Sequence, residues 1–367
     1  MANPLRNWVD RFLGRGEAAV TVPPLDGALK PNNILEDAPL GIASQKPDNL
    51  VLTADGLVYS SARVLHRQPP CGGPGLEAGE AQDAISALAV SPSGVLAVAA
   101  GKSITFRDAA TGAPASGLNA GSQAWDCVTA MAFAPDGALL VTVGSSKNGI
   151  EDWQRDMLNS ERAGSVWRLD PKTGQARQLV GRLSYPNGVI VEESGNIIVS
   201  EAWAKRLIRI SAEGRLLGQV IEDLPGYPAR ISRTERGSYW LSVFAPRSQL
   251  IEFVLREPAY RKEMMAKVDK EFWIAPALRS GYSFREPMQG GALKQMGILK
   301  PWAPTRSYGL VIELNRDFVP LRSFHSRAGG KRHGITSAVE AGGKLWATSK
   351  GGEEVIAVMI GKEGDDR

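Results

Sequence analysis

Asp48, Asn187, Glu201, Arg230 and His333 are the residues of this chain whose types and positions could do chemistry together. Asn187 opens an almost wholly apolar run, Gly188 to Val191, and Glu201 ends the next, Asn196 to Ser200. Polar groups at the ends of buried segments need hydrogen-bond or metal partners. Glu201 is a candidate general base if burial raises its pKa; a salt bridge to Arg230 or Lys205 is the plainer reading. His333 begins a late apolar strand, where a group that titrates near neutrality could shuttle protons. Arg230 reads two ways. It either pairs with Asp48 or Glu201 and plugs a channel, or it presents fixed positive charge to a carboxylate or a developing oxyanion. His66 and His325 fall on outer strands and read as structural.

The elements that must position these groups follow a repeating grammar. An apolar strand is followed by an Asp-Gly or Ser-Gly type turn, a second apolar strand and then a more polar one. The pattern begins near Pro47 and appears six times, with Asp48, Ala87, Thr129, Asn187, Ala229 and Thr336 at equivalent positions. The spacings are 39, 42, 58, 42 and 107 residues. Units of about 40 residues with several short strands indicate propeller blades. The expected fold is therefore all-β: a six-bladed β-propeller over residues 31–367, preceded by a short helix and connector in residues 1–30. Two insertions account for the long spacings. Lys147 to Arg162 reads as a polar loop in the third blade. Residues 256–306 carry a helical pattern (Tyr260, Met264, Met265, Val268) and then a Pro/Gly-rich run, and are expected to cap one end of the channel. Closure of the ring is expected from residues between about Ala18 and Asn33, or just after, because open edges are a liability.

Thr129, Asn187, Thr336 and Asp48 then line a central channel, where a propeller usually has its site. Trp203, Phe244, Trp273 and Trp302 are candidates for walls at its entrance, or for packing the insertion onto the rim. Aromatic walls fit an apolar or mixed small molecule.

Composition narrows the function classes. Lys and Arg number 43 against 39 Asp and Glu, a net charge of +4 with no basic block, which argues against a nucleic-acid footprint. Gly 40 and Pro 23 suit many turns and disfavour an all-helical fold. Cys71 and Cys127 could pair, but two free thiols fit better, because nothing else marks an oxidising compartment. No run of 18 apolar residues exists and Arg6, Asp10, Arg11 and Arg15 interrupt any signal peptide core, so a cytoplasmic location is expected. Leu5, Trp8, Val9, Phe12 and Leu13 share one helical face. That face either docks on the domain or makes a peripheral membrane or partner contact.

Pro186-Asn-Gly-Val followed by Ser200-Glu-Ala-Trp resembles the fourth blade of the strictosidine synthase-like proteins. Leu224-Pro-Gly-Tyr-Pro, Ile231-Ser-Arg and Tyr239-Trp-Leu resemble its fifth, and Tyr308-Gly-Leu-Val-Ile-Glu-Leu is similar to the strand after the insertion in that blade. The group, which includes the adipocyte plasma membrane-associated protein, is a distant relative of gluconolactonases and paraoxonases. The resemblance implies a six-bladed propeller with its site in the channel. In calcium-dependent relatives a first-blade carboxylate, Asn side chains and a fifth-blade Asp-Asn pair hold one calcium, since calcium takes hard oxygen ligands. Asp48 and Asn187 match two of those ligands and Thr129 falls where a third-blade Asn is expected. The fifth-blade pair reads Ala229-Arg230, which puts a methyl and a cation in place of two oxygen donors. The implied cofactor is thus none, or a weakly held calcium. The channel glutamate of strictosidine synthase corresponds to Thr336, and the paraoxonase-type histidine to Lys205.

Three functions compete. One is a lactonase- or esterase-type hydrolase acting on a small molecule, with Arg230 and Asn187 on the carbonyl oxygen and Glu201 or His333 activating water. Another is a non-catalytic propeller that binds a ligand or partner. The third, a carbon–nitrogen bond-forming synthase, is weakened by Thr336.

Overall fold

The computed structural model describes residues 22–69, 75–283, 285–287, 294–295, 298–299 and 306–361. Six small antiparallel sheets follow one another along the chain. Their first strands are Pro47–Thr53, Ile85–Val90, Val128–Phe133, Pro186–Val191, Gly226–Arg233 and Ile335–Ala341. Each of these touches the next, and the last touches the first, so they form a closed ring about an axis. This is a six-bladed β-propeller. The first blade continues through Gly56–Ser61, Val64–Gln68 and Leu76–Glu80, and the other blades repeat the order outward. The second blade has three strands, ending at Ser103–Asp108.

The hydrophobic pattern explains the arrangement. First and second strands are apolar on both faces because each blade packs between two others. Ile197–Glu201 is buried at every position, as are Leu139–Val143 and Tyr239–Pro246. Outer strands such as Leu216–Ile221 mix half-buried and exposed positions with none fully buried. The cores lie between blades; Leu57, Tyr59, Trp346 and Val355, for example, join the first blade to the sixth.

Polar groups on the inner strands stitch neighbouring blades. Thr129 Oγ1 donates to Pro186 O at 2.6 Å, Ser200 Oγ to Ala229 O at 2.7 Å and Ser232 Oγ to Ala338 O at 2.7 Å. Asn187 Nδ2 reaches Pro228 O at 3.2 Å. Gly188 has a packing reason: a Cβ there would sit 2.5 Å from Ala229 O and 3.0 Å from Arg230 Cα. Only a residue without a side chain lets the fourth and fifth inner strands approach this closely.

The ring closes with Leu40–Ala43, which pairs with Glu354–Met359 as the outermost strand of the sixth blade. That is somewhat later in the chain than the interval from Ala18 to Asn33. The residues just before it have another task. Asn32 bonds Ser323 O and the His325 N–H, and Leu35 is buried against the fifth and sixth blades.

Both insertions carry helix. The segment read as a polar loop holds a 3-10 turn, Ile150–Asp152, and a helix, Trp153–Asn159, that buries Met157 and Leu158. Its charged residues hid a short apolar face. In the fifth blade, helices Gln249–Val254 and Pro258–Lys267 lie between the second and third strands, so helix begins before residue 256. Of the four residues expected to form the apolar face of that insertion, Met264 is buried while Tyr260 and Val268 are exposed; Arg261 is buried instead. The two insertions are bonded together: Arg261 Nη1 donates to Ser160 Oγ at 2.7 Å, and Gln154 Nε2 to Pro276 O at 2.8 Å. The helix expected at residues 5–13, as well as Cys71 and Trp302, lies outside the described residues.

Candidate functional site

At one end of the axis a cavity of about 120 Å³ opens between the inner strands and the two insertions. Its floor comes from the starts of the inner strands, with Asp48, Ser86, Thr129, Asn187, Arg230 and Thr336. Its walls are Ile150, Trp153, Trp203, Phe244 and Leu278, with Tyr185, Glu151 and Lys350 completing the lining.

Arg230 occupies the axis. Its Nη1 donates to Asp48 Oδ1 at 2.6 Å and to Thr336 O at 3.4 Å. Its Nη2 donates to Ser86 O and Thr129 O, both at 2.8 Å. One guanidinium from the fifth blade thus ties together blades one, two, three and six. A planar fork of donors suits this role, because its charge is permanent and its hydrogen bonds point outward in fixed directions. Its Nη atoms are committed to protein oxygens.

Asp48 is the counter-charge. Its Oδ1 also accepts from the Asn49 N–H at 2.8 Å, and its Oδ2 accepts from Lys350 Nζ at 2.8 Å. Burial pushes the carboxyl pKa up, but the charges of Arg230 and Lys350 outweigh it and hold the pKa at about 2. Asp48 is 5% exposed and remains ionised throughout the neutral range.

Lys350 was not among the residues singled out from sequence. It follows Lys344–Ser349, the second strand of the sixth blade. Antiparallel pairing puts the residue after a second strand at the same end as the start of the first; in this blade Ile335 faces Ser349. The same rule places Trp203 and Phe244, near the ends of their second strands, beside the cavity. Applied to the sixth blade it would have pointed to Lys350. Among the described residues Asp48 is its ion-pair partner, which leaves further ammonium N–H capacity on a residue that lines the cavity.

The wall is a cluster of rings. Trp153 stacks on Trp203 with centroids 6.1 Å apart and meets Phe244 edge-on at 5.5 Å, while Tyr185 lies 4.6 Å from Trp203. The Trp203 indole is held by Nε1 donating to Asp156 Oδ1 at 2.8 Å. Tyr185 has φ of 58° immediately before the inner strand, and Cys127 has φ of 53° before another. Non-glycine residues in this region cost about 1–3 kcal/mol each, so packing at the cavity must enforce them. Burial raises the Cys127 thiol pKa to about 11 and the Tyr185 phenol pKa well above its usual value, so neither is a ready nucleophile.

Seven residues singled out from sequence therefore meet at the cavity: Asp48, Thr129, Asn187, Trp203, Arg230, Phe244 and Thr336. Glu201 and His333 do not. Glu201 is wholly buried within its hairpin, accepting the Ser184 N–H at 2.8 Å and Arg206 Nε at 2.6 Å. Its partner is neither Arg230 nor Lys205; Lys205 pairs with Glu252 of the helix Gln249–Val254 at 3.3 Å. His333 is 2% exposed, with Nδ1 at 2.7 Å from Ser307 Oγ and Nε2 at 2.9 Å from Arg327 O. Both ring nitrogens are engaged away from the cavity, and burial lowers the pKa. Trp273 is buried against Leu158 and Met264, packing the insertions together. Thr336 Oγ1 lies 3.1 Å from Thr348 Oγ1, and Thr129 Oγ1 holds Pro186 O.

Residues 129–215 match the family model for strictosidine synthase. The chain is a six-bladed propeller with a strictosidine synthase-like segment in its third and fourth blades. Among curated proteins it is 25% identical over 213 residues to the adipocyte plasma membrane-associated protein of Danio rerio, across 56% of this chain and 45% of that one. It is 28% identical over 108 residues to the strictosidine synthase-like 13 protein of Arabidopsis thaliana, across 29% of this chain and 27% of that one. The matched stretch spans under half the length of either relative. Solved structures of similar fold include a gluconolactonase from Xanthomonas campestris, with a TM-score of 0.54 and 15% identity over 93% of this chain and 95% of that one. Another is regucalcin, a calcium-binding protein from Agrobacterium tumefaciens, with a TM-score of 0.53 and 14% identity over the same shares.

The calcium that the resemblance implies does not fit these residues. The oxygen atoms converging on the axis, Asp48 Oδ1 with the carbonyls of Ser86, Thr129 and Thr336, already surround a guanidinium. A third cation beside Arg230 and Lys350 would meet two positive charges against the one carboxylate of Asp48. Among the described residues no cluster of three His, Cys, Asp or Glu side chains is placed to hold a metal. No helix among them is long and apolar enough to cross a membrane.

Proposed function

We propose that this protein binds a small molecule bearing a carbonyl or carboxylate oxygen in its central channel. The observation that supports the reading is the pairing of Lys350 with Asp48 at the floor of an aromatic-walled cavity. The ammonium retains N–H groups for a ligand, and half-buried Asn187 belongs to the same lining. Such a site, a mostly apolar concavity with a few convergent polar groups, is what small-molecule recognition requires.

A second reading is lactone or ester hydrolysis in the same channel. It draws on the likeness to strictosidine synthase-like proteins and to a gluconolactonase structure. Lys350 and Asn187 would polarise the carbonyl oxygen, and a water held by Asp48 would attack the carbonyl carbon. The acid–base term is weak, because a carboxylate whose pKa is about 2 is a poor proton acceptor at neutral pH. Glu201 and His333, the groups better suited to that work, face elsewhere. Binding without turnover therefore accords better with the geometry. Carbon–nitrogen bond formation at Thr336 has no acid or base to drive it.

Calorimetric titration with a panel of small lactones, esters and acids, together with turnover assays with and without EDTA, tests both readings. The expected result is saturable binding that Lys350→Met weakens, with turnover slow and indifferent to EDTA. Efficient turnover that EDTA abolishes would overturn the reading.

A further inference from the structure

The cavity is two-ended, and its ends differ in chemistry. The floor carries two cations, Arg230 and Lys350, against one carboxylate, Asp48, an excess of one positive charge. The walls, Ile150, Trp153, Trp203, Phe244 and Leu278, are aromatic or aliphatic. Glu151, exposed on the turn Ile150–Asp152, puts a negative charge on the lining away from the floor.

Resting on the reading of the channel as a small-molecule site, we infer that its ligand is a monocarboxylate with an aromatic or branched apolar body. The carboxylate enters first and meets Lys350, and the body lies against Trp153, Trp203 and Phe244. Arg230 supplies field without direct contact, since its Nη atoms are bonded to Asp48 and to the carbonyls of Ser86, Thr129 and Thr336 and its unpartnered Nε is buried. Among the described lining residues Lys350 is the ammonium with N–H groups left for a ligand, and it sets a charge of −1 as the match. A dianion such as a phosphate monoester brings a second negative charge that no free cation among the described lining residues meets, beside the fixed charge of Asp48. A cationic ligand meets Arg230 and Lys350 at the floor. The orientation follows from Glu151, which repels a carboxylate held at the opening, and from the rings, which carry no positive charge to meet one. The indole of Trp203 is already tied to Asp156, so the ring face remains for the ligand body. Ring–ring contact of this kind supplements the burial of apolar area.

The test compares 3-phenylpropionate, 3-phenylpropionamide and propionate by calorimetry and by quenching of tryptophan fluorescence on the full-length protein. The acid is expected to bind at least tenfold tighter than the amide and at least tenfold tighter than propionate. In Lys350→Met the gap between acid and amide closes, and in Trp153→Ala the gap between phenylpropionate and propionate narrows. Lys350→Arg, which keeps the charge, retains a preference for the acid, and melting curves confirm that each variant is folded. If acid and amide bind equally to the wild type, the inference is overturned while the channel remains a small-molecule site. If no member of this set binds, and no lactone or ester of the wider panel does either, the reading beneath it falls as well.

Discussion

Replacing Arg230 with methionine removes the group on which four blades converge. The loss has two parts. The first is an ion pair in which Arg230 and Asp48 side chains are 15% and 8% exposed. Breaking a buried pair by removing one partner costs about 3–5 kcal/mol, because the other charge is left uncompensated. Lys350 remains on Asp48 Oδ2 at 2.8 Å, so this part belongs at the lower end of the range. The second is the loss of donors to the carbonyls of Ser86, Thr129 and Thr336, each a buried acceptor whose exposure to an unpaired state costs about 1–3 kcal/mol unless water reaches it. The cavity adjoins all three residues, so water recovers much of that. The expected net is about 3–5 kcal/mol, which corresponds to a melting point lower by about 4–6 °C for a chain of this length. Differential scanning calorimetry at pH 7 measures it directly. Arg230→Lys should recover only part, because an ammonium cannot fork across several acceptors. An unchanged melting point in Arg230→Met would refute the assignment of the guanidinium as the tie between blades.

Glu201→Gln should destabilise the chain by about 3–5 kcal/mol, since Arg206 would lose its buried partner, while ligand affinity in the channel stays within twofold; an affinity loss without destabilisation would return Glu201 to the site. His325 is wholly buried, and burial lowers its pKa to about 4 from an ordinary 6.5. The neutral form is the folded one, so its contribution is complete above pH 6.5 and is lost as pH falls towards 4. That amounts to about 3 kcal/mol. Urea midpoints measured from pH 7 to pH 4 should therefore fall, and His325→Gln should flatten the slope. Gly188→Ala should cost about 2 kcal/mol or more by forcing apart the fourth and fifth inner strands, read as a lower urea midpoint; an equal midpoint would mean the strands can separate freely.

The blade grammar was legible because every blade repeats the same physical demand: two apolar strands buried on both faces, a tight turn between them and a wetter strand outside. Equivalence across repeats makes Asp48, Ala87, Thr129, Asn187, Ala229 and Thr336 one ring of positions; all but Ala87 line the cavity, and Arg230, next to Ala229, lines it too. Glu201 was read from its place at a strand end, but its hairpin partner settles it. Arg206 faces it in register, and a neighbour on the next strand is a more available partner than anything across the channel. His333 sits one turn before the strand proper, where Ser307 and Arg327 enclose it. Lys350 escaped notice because equivalence was drawn on first strands alone, whereas the ends of second strands reach the same rim. The helix Trp153–Asn159 was hidden by its length: seven residues display too few apolar positions to fix a period.

A permanent guanidinium stands on the axis, where the resemblance read from the sequence implied a calcium, and the reading of the channel depends on it. A crystal structure of the protein grown in excess calcium chloride, with anomalous scattering collected near the axis and elemental analysis of the same sample, tests it most directly. The expected result is Arg230 bonded to Asp48 and to the carbonyls of Ser86 and Thr129, no anomalous peak among them, and far less than one calcium per chain. A stoichiometric calcium bound by Asp48 and Asn187, with the Arg230 side chain swung aside, would contradict it.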